Sequence, residues 1–348
     1  MNTKVIALPE RARILVVRTD RIGDMVLSLP VFTSLKAAFP RSTICALTRN
    51  QTAELLAGRP DVDDVISFAS DTSRIPWGEF KRLVPEIIKR KFDVAVILFS
   101  NFSVTALTAV AGIPVRVGPA TKIAQALLTH RVRQRRSKAL RHETDHNLDL
   151  LNVLGAPHIR VAFITPPRPP VVRLARTDGK PLVGVHPGSG GSARNWPESR
   201  YVELVRELSA AACDVVVTGS SAERELVERV IRSSGGLAAP QIGGDKLMEF
   251  ASVLSQLDVF VAGSTGPLHM ASALGTPVVG IYCPIFVCSP QRWGPIGPKD
   301  TALAPNVAAC GKCVMEKCPH YDCMDMISVG LVRDSVLGKT ASTVELLR

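Results

Sequence analysis

Short runs of Val, Ile and Leu alternate with segments of helical period along this chain, and that alternation restricts the fold more than any other feature. In the first half the runs fall at residues 14–18, 43–48, 65–68, 94–99 and 115–118, with helical patterns such as "DMVLSLPVFTSLKAAF" and "WGEFKRLVPEIIKRK" between them. Strands apolar on both faces and joined by helical crossovers belong to parallel sheets covered on both sides. Residues 166–181, "PPRPPVVRLARTDGKP", carry no apolar period and read as a linker. The alternation then restarts at 182–186, 214–218, 259–262 and 278–282. The expectation is therefore α/β: an N-terminal domain over 1–165 and a C-terminal domain over 182–348 that ends in a closing helix. Both would be doubly wound, with their strand-to-helix loops opening on one cleft.

Charge narrows the partners. The formal net charge is +11, which points to an acidic or phosphorylated partner. Much of the excess lies in "HRVRQRRSKALRH", residues 130–142, read as a solvated helix or loop face. That run holds no aromatic side chain to stack on bases, so nucleic acid is disfavoured; a membrane surface or a phosphorylated acceptor suits it better. No apolar run reaches the length of a membrane span. The start, "MNTKVIALPERAR", is too weakly apolar for a secretory signal, so the cytoplasm is expected.

Three loops carry candidate chemistry. The first, "VRTDRIGDMVLSLP", passes from strand to helix with Gly23 and Asp24 at the helix start. It lacks both the glycine triplet of a dinucleotide site and the Gly-Lys-Ser/Thr of a phosphate loop. A helix N-terminus there is expected to favour the ionised aspartate. The second, "GVHPGSGGSARNWPESRYVELV", has Gly188, Gly190 and Gly191 to form an anion-binding nest, with Arg194 suggesting a diphosphate. The third, "AGSTGPLHMASALGTP", offers Ser264 or Thr265 as a cap and Pro267 in the first turn, leaving free N–H groups for a phosphate. His269, one turn into that helix, reads as a core histidine.

These segments, with "AGIPVRVG", "TGSSAE" and "RWGP", occur in an order that resembles glycosyltransferase family 9, the lipopolysaccharide heptosyltransferases and their relatives. The resemblance runs from about Arg13 to the last helix. It implies a GT-B fold and metal-independent, inverting transfer of a sugar, typically heptose from an ADP-linked donor, to a phosphorylated lipid-linked inner-core acceptor at the membrane. By the same resemblance Asp24 is the general base. The donor diphosphate falls to Arg194, Ser189, Gly190, Gly191 and Ser192 and to Ser264, Thr265, Gly266, Pro267 and Leu268. Gly219 and Glu223 meet the nucleotide, and Arg18, Arg21 and Gly23 the acceptor. Two departures stand out: Ser264 where many relatives have aspartate, and arginine rather than lysine at 194, which exchanges a point charge for a planar fork.

Four of the eight cysteines lie in "CGKCVMEKCPHYDC", as Cys310, Cys313, Cys318 and Cys323. The spacing is tighter than that of a zinc ribbon. Reduced, packed thiols are the expectation, with a structural metal as the alternative. Two other functions fit the same loops: a sugar-nucleotide epimerase or hydrolase, and a catalytically idle nucleotide-binding relative. A nicotinamide oxidoreductase rests only on the loose glycine pattern of "GSGGSA".

Overall fold

The computed structural model describes residues 5–121, 123–191, 193–243 and 246–345, of which 341–345 as backbone. The chain divides into two compact units, Met1–Arg136 with Arg141–Thr165, and Ser137–Leu140 with Pro166–Arg348.

In the first unit, strands β1 (Arg13–Val17), β2 (Thr43–Arg49), β3 (Asp64–Phe68), β4 (Val94–Ile97), β5 (Val115–Pro119) and β6 (His130–Val132) form one sheet in the order β3-β2-β1-β4-β5-β6. The described pairings are parallel. The second unit repeats the plan with β7 (Leu182–His186), β8 (Asp214–Gly219), β9 (Ala239–Ile242), β10 (Val259–Gly263), β11 (Val278–Ile281) and β12 (Thr301–Leu303), ordered β12-β11-β10-β7-β8-β9 and again parallel. Each sheet reverses its winding once, between β1 and β4 and between β7 and β10. In doubly wound sheets ligands bind beyond the carboxyl ends of the strands at such a point. The fold class inferred from the alternation of runs is the one observed.

Burial accounts for the plan. β4 and β7 are buried along their whole length, as are Ile14 to Val17 of β1. The strands that sequence patterning misses are all edge or near-edge strands with polar or short sequences. β6 reads His-Arg-Val and lies at the sheet margin, where only one side is paired and apolar continuity is not demanded. The basic run is thus a strand, a short turn at Arg136–Lys138 and the approach to the helix Glu143–Asp149. The long helical pattern beginning at Asp24 is two helices, Ile22–Val26 and Leu29–Ala38. Pro30 has no N–H to continue the ladder, and the Ser28 hydroxyl instead donates to the Asp24 carbonyl at 2.7 Å.

Residues 166–181 have no helix or strand but are tied to the second unit. Gln256 Nε2 donates to the Val172 carbonyl at 2.7 Å, and Arg176 pairs with Asp258 at 2.6 Å. The last helix, Val329–Glu345, sets Val329, Val332 and Val336 into the second unit's core, and Arg333 reaches Glu207 at 3.1 Å. Among the described residues no helix is long and apolar enough to cross a membrane.

Candidate active site

β1 ends at its sheet's switch point, and the turn that follows carries a buried charge cluster. Arg18 is 2% exposed. Its Nε and Nη2 donate to the two Asp20 oxygens at 2.5 and 2.8 Å, and Nη2 also to Asp24 Oδ1 at 2.7 Å. Nη1 donates to Asn147 Oδ1 at 3.1 Å and to Glu143 Oε1 at 3.4 Å. Glu143 also pairs with Arg136. Arg18 therefore has no N–H left over for an acceptor: it is a hub that orients carboxylates, and its expected acceptor contact gives way to that role. Arg21, the residue before the helix Ile22–Val26, is exposed, and Gly23 is half-buried beside it.

Three carboxylates here surround two guanidinium groups. The imbalance falls on Asp24, whose side chain is 16% exposed. Burial first, and then the neighbouring Asp20 charge, push its pKa up from 3.8 to about 7, against the pull of Arg18. The lowering expected from the helix N-terminus does not prevail. The helix has only five residues, and desolvation beside two like charges is the larger effect. The turn is clamped from behind by helix Glu143–Asp149: Thr144 Oγ1 and Asn147 Nδ2 both donate to the Leu27 carbonyl, at 3.0 and 3.3 Å. Sequence reasoning missed Asp20, Glu143 and Asn147. Glu143 and Asn147 sit in "HETDHN", far along the chain, where nothing local marks the contact.

In the second unit three loops leave adjacent strands β10, β7 and β8 at one sheet edge. After β7, Gly188 packs so closely on Glu223 that an added Cβ would lie 2.0 Å from its Oε1. Glu223 Oε2 accepts from the Ser220 N–H and hydroxyl at 2.9 and 2.7 Å, which closes a capping box just beyond Gly219. Ser189, Gly190 and Gly191 are exposed. Gly191 has φ +69°, and an added Cβ at Gly190 or Gly191 would meet no atom of the described residues within 4 Å. Ser192 lies outside the described residues. Asn195, unforeseen from the sequence, braces this loop: Nδ2 donates to the Pro187 carbonyl at 2.6 Å, while Oδ1 accepts from the Trp196 N–H and the Tyr201 hydroxyl at 3.0 and 3.2 Å and leaves no room for a side chain at Gly263, the end of β10.

Beyond Gly263, helix Gly266–Ala273 starts without a side-chain cap, contrary to the cap expected from Ser264 or Thr265. Ser264 hydrogen-bonds Tyr282 instead. The Thr265 hydroxyl is buried with no partner among the described residues. In the first turn Leu268 is wholly buried and Pro267 has no N–H to give, so Gly266, which is half-buried, is the first-turn residue with an N–H nearest the surface. An uncapped helix start with an orphan hydroxyl is suited to an anion. His186, at the end of β7, is held neutral by burial and faces Thr218 Oγ1 at 2.9 Å.

Arg194 does not behave as expected. Its side chain turns into a pocket lined by Cys283, Cys310, Cys313, Cys318 and Cys323. Nη1 lies 3.8 Å from the sulfurs of both Cys313 and Cys323, and the guanidinium sits over the Tyr321 ring at 5.0 Å. In this geometry its charge faces sulfur, and Ser189, Gly190 and Gly191 are exposed residues of the glycine loop. The Cys283 thiol is pushed down to about 6, chiefly by the hydrogen bond from Cys288. Among the described residues no three His, Cys, Asp or Glu side chains stand close enough to hold a metal ion as they are.

Two parallel six-stranded units of this order, each with loops gathered at its switch point, make up the GT-B fold. The sequence model of glycosyltransferase family 9 (heptosyltransferase) matches residues 80–323, and the chain belongs to that family. A Haemophilus influenzae protein, named provisionally as a glycosyltransferase, is 35% identical over 84% of this chain and 88% of its own length. Lipopolysaccharide heptosyltransferase 2 of Salmonella typhimurium is 26% identical over 84% and 87%. Among solved structures, a family 9 glycosyltransferase of Veillonella parvula superposes with TM-score 0.79 at 19% identity, covering 95% of this chain and 97% of that one. The E. coli ADP-heptose LPS heptosyltransferase II gives 0.77 at 20%, covering 95% and 99%. The protein is a glycosyltransferase.

Proposed function

We propose that this enzyme moves a heptose from ADP-heptose to an inner-core sugar of lipopolysaccharide, with inversion at the anomeric carbon and no metal in the chemical step. The names of the relatives support the donor and acceptor classes. The observation that carries the reaction type is the Asp24 carboxylate, raised to about 7 and aimed by Arg18 at the end of β1. A base with a pKa near the working pH is the most effective one. Asp24 takes the proton of the acceptor hydroxyl as that oxygen bonds to the anomeric carbon. The bond to the donor phosphate breaks, and its electron pair leaves on the diphosphate.

We assign the donor diphosphate to the second unit. N–H groups of the Gly190–Gly191 turn and of the helix start at Gly266, with the Thr265 hydroxyl, stabilise the departing diphosphate where a metal ion would otherwise be needed. The Glu223 carboxylate accepts from the nucleotide ribose.

The acceptor is lipid-linked, and we assign the membrane contact to the basic segment after β5. Arg131, Arg133 and Arg135 are exposed at alternate positions, and Ile123 is 84% exposed. Such a face suits the anionic inner surface of a membrane, with the enzyme cytoplasmic and peripheral. The test is turnover of ADP-heptose with a heptose-deficient core acceptor. Transfer that Asp24→Ala abolishes while ADP still binds supports the reading. Release of free heptose without acceptor, or full turnover by the variant, refutes it.

A further inference from the structure

We infer that Cys310, Cys313, Cys318 and Cys323 form a structural site for one thiophilic divalent cation, Zn²⁺ or Fe²⁺, on the second unit behind the glycine loop. Four thiols within fourteen residues of sequence line one pocket, and their neighbours are arranged as partners of sulfur anions. Arg194 Nη1 lies 3.8 Å from the sulfurs of both Cys313 and Cys323. The His320 backbone N–H points at the Cys318 sulfur at 3.4 Å. N–H groups directed at sulfur are the outer partners that hold thiolate ligands in place around a metal. Lys312 lines the same pocket and, with Arg194, offsets the two net negative charges that four thiolates leave around a dication.

Two of the four positions are held by packing and two lie on an exposed segment. Cys310 is pinned by a bridge to the segment after β11: its N–H donates to the Pro284 carbonyl at 3.0 Å, and its carbonyl accepts from Phe286 at 2.9 Å. Cys323 is buried in the core of the second unit. Between them the chain is largely exposed, and a single short turn at Met315–Lys317 is its regular structure among the described residues. The sulfurs do not yet converge to ligation distance, so binding closes this segment onto Cys310 and Cys323. Each thiol that ligates gives its proton to solvent, and the four Sγ–metal bonds replace waters of the hydrated ion. Four thiolates leave no open coordination position, which makes the ion structural and not catalytic. Soft ligands select zinc or iron over magnesium or calcium. Arg194 becomes the outer hydrogen-bond donor that holds the sulfurs, in the way such partners orient metal ligands.

The test uses the full-length chain, purified reduced and without chelator. We expect about one equivalent of zinc or iron per chain by elemental analysis. Titration of the stripped protein with Co²⁺ should give the visible bands of tetrahedral thiolate cobalt. Cys313→Ser with Cys318→Ser, both on the exposed segment, should lose retained metal and the cobalt bands while the far-ultraviolet circular dichroism is kept. Arg194→Gln should weaken Co²⁺ binding about 10–100-fold. A metal-free protein with a featureless cobalt titration and all eight thiols reactive overturns the proposal. So does a mass two hydrogens short, which reports a disulfide. Because the readout is metal, failure of the transferase reading leaves this inference standing, and the reverse also holds.

Discussion

Replacing Asp24 with asparagine should make the protein inactive and, above neutral pH, more stable. In the native cluster the Asp24 pKa rises from 3.8 to about 7. At about 1.36 kcal/mol per pH unit, that displacement is worth roughly 4 kcal/mol. The sign follows from proton counting. Between pH 3.8 and 7 the folded state holds a proton that the unfolded chain has released, so stability falls as pH rises through this window and is flat above it. The amide of the Asp24→Asn variant does not titrate. The melting temperature of the variant minus that of the wild type should therefore climb from about pH 5 to about pH 8 and then level. The gain over that range is roughly 3 kcal/mol, or about 6–12 °C for a unit of this size. Scanning calorimetry across that pH range measures it. In parallel kcat should fall by about 10²–10⁴, with ADP affinity unchanged, and wild-type kcat/KM should rise with pH through about 7. A melting difference that is the same at every pH, or a variant less stable at about pH 8, would refute the claim that burial and like charge raise this carboxylate.

Arg18→Met should destabilise the first unit by about 3–5 kcal/mol in a denaturant melt, because three carboxylates lose the cation they surround. Thr265→Val removes a buried hydroxyl that no described residue satisfies; the free protein should be unchanged or stabilised by about 1 kcal/mol, while calorimetry shows weaker ADP binding. Gly188→Ala places a methyl group against the Glu223 carboxylate and should lower both melting temperature and ADP affinity. Gly190→Ala meets no described atom, so only the affinity should fall. Reversing Arg131, Arg133 and Arg135 to Glu should abolish sedimentation with anionic vesicles and leave turnover on a soluble core acceptor intact.

How much of the chemistry is legible in the sequence differs between the two units. Gly188, Gly190 and the Gly266–Pro267 helix start are local, because their chemistry lies in the conformation of a few consecutive residues. Asp24 is legible from its place beside Gly23 at the strand-to-helix turn together with the resemblance to the family. Arg18 and Arg194 went the other way. Each was read as a ligand-facing cation, yet one is buried among Asp20, Asp24 and Glu143, and the other lies against cysteines more than a hundred residues further along the chain. Glu143 and Asn147 carried no local mark of their part in holding the Asp24 turn.

By itself the sequence determined the two parallel sheets and the points where loops leave them, since strand burial and crossover length are written in runs of a few residues. Tertiary structure alone decided the charge state of Asp24 and the direction of Arg18 and Arg194. A pKa and a side-chain direction depend on every charge and dipole nearby in space, and folding brings those in from distant parts of the chain.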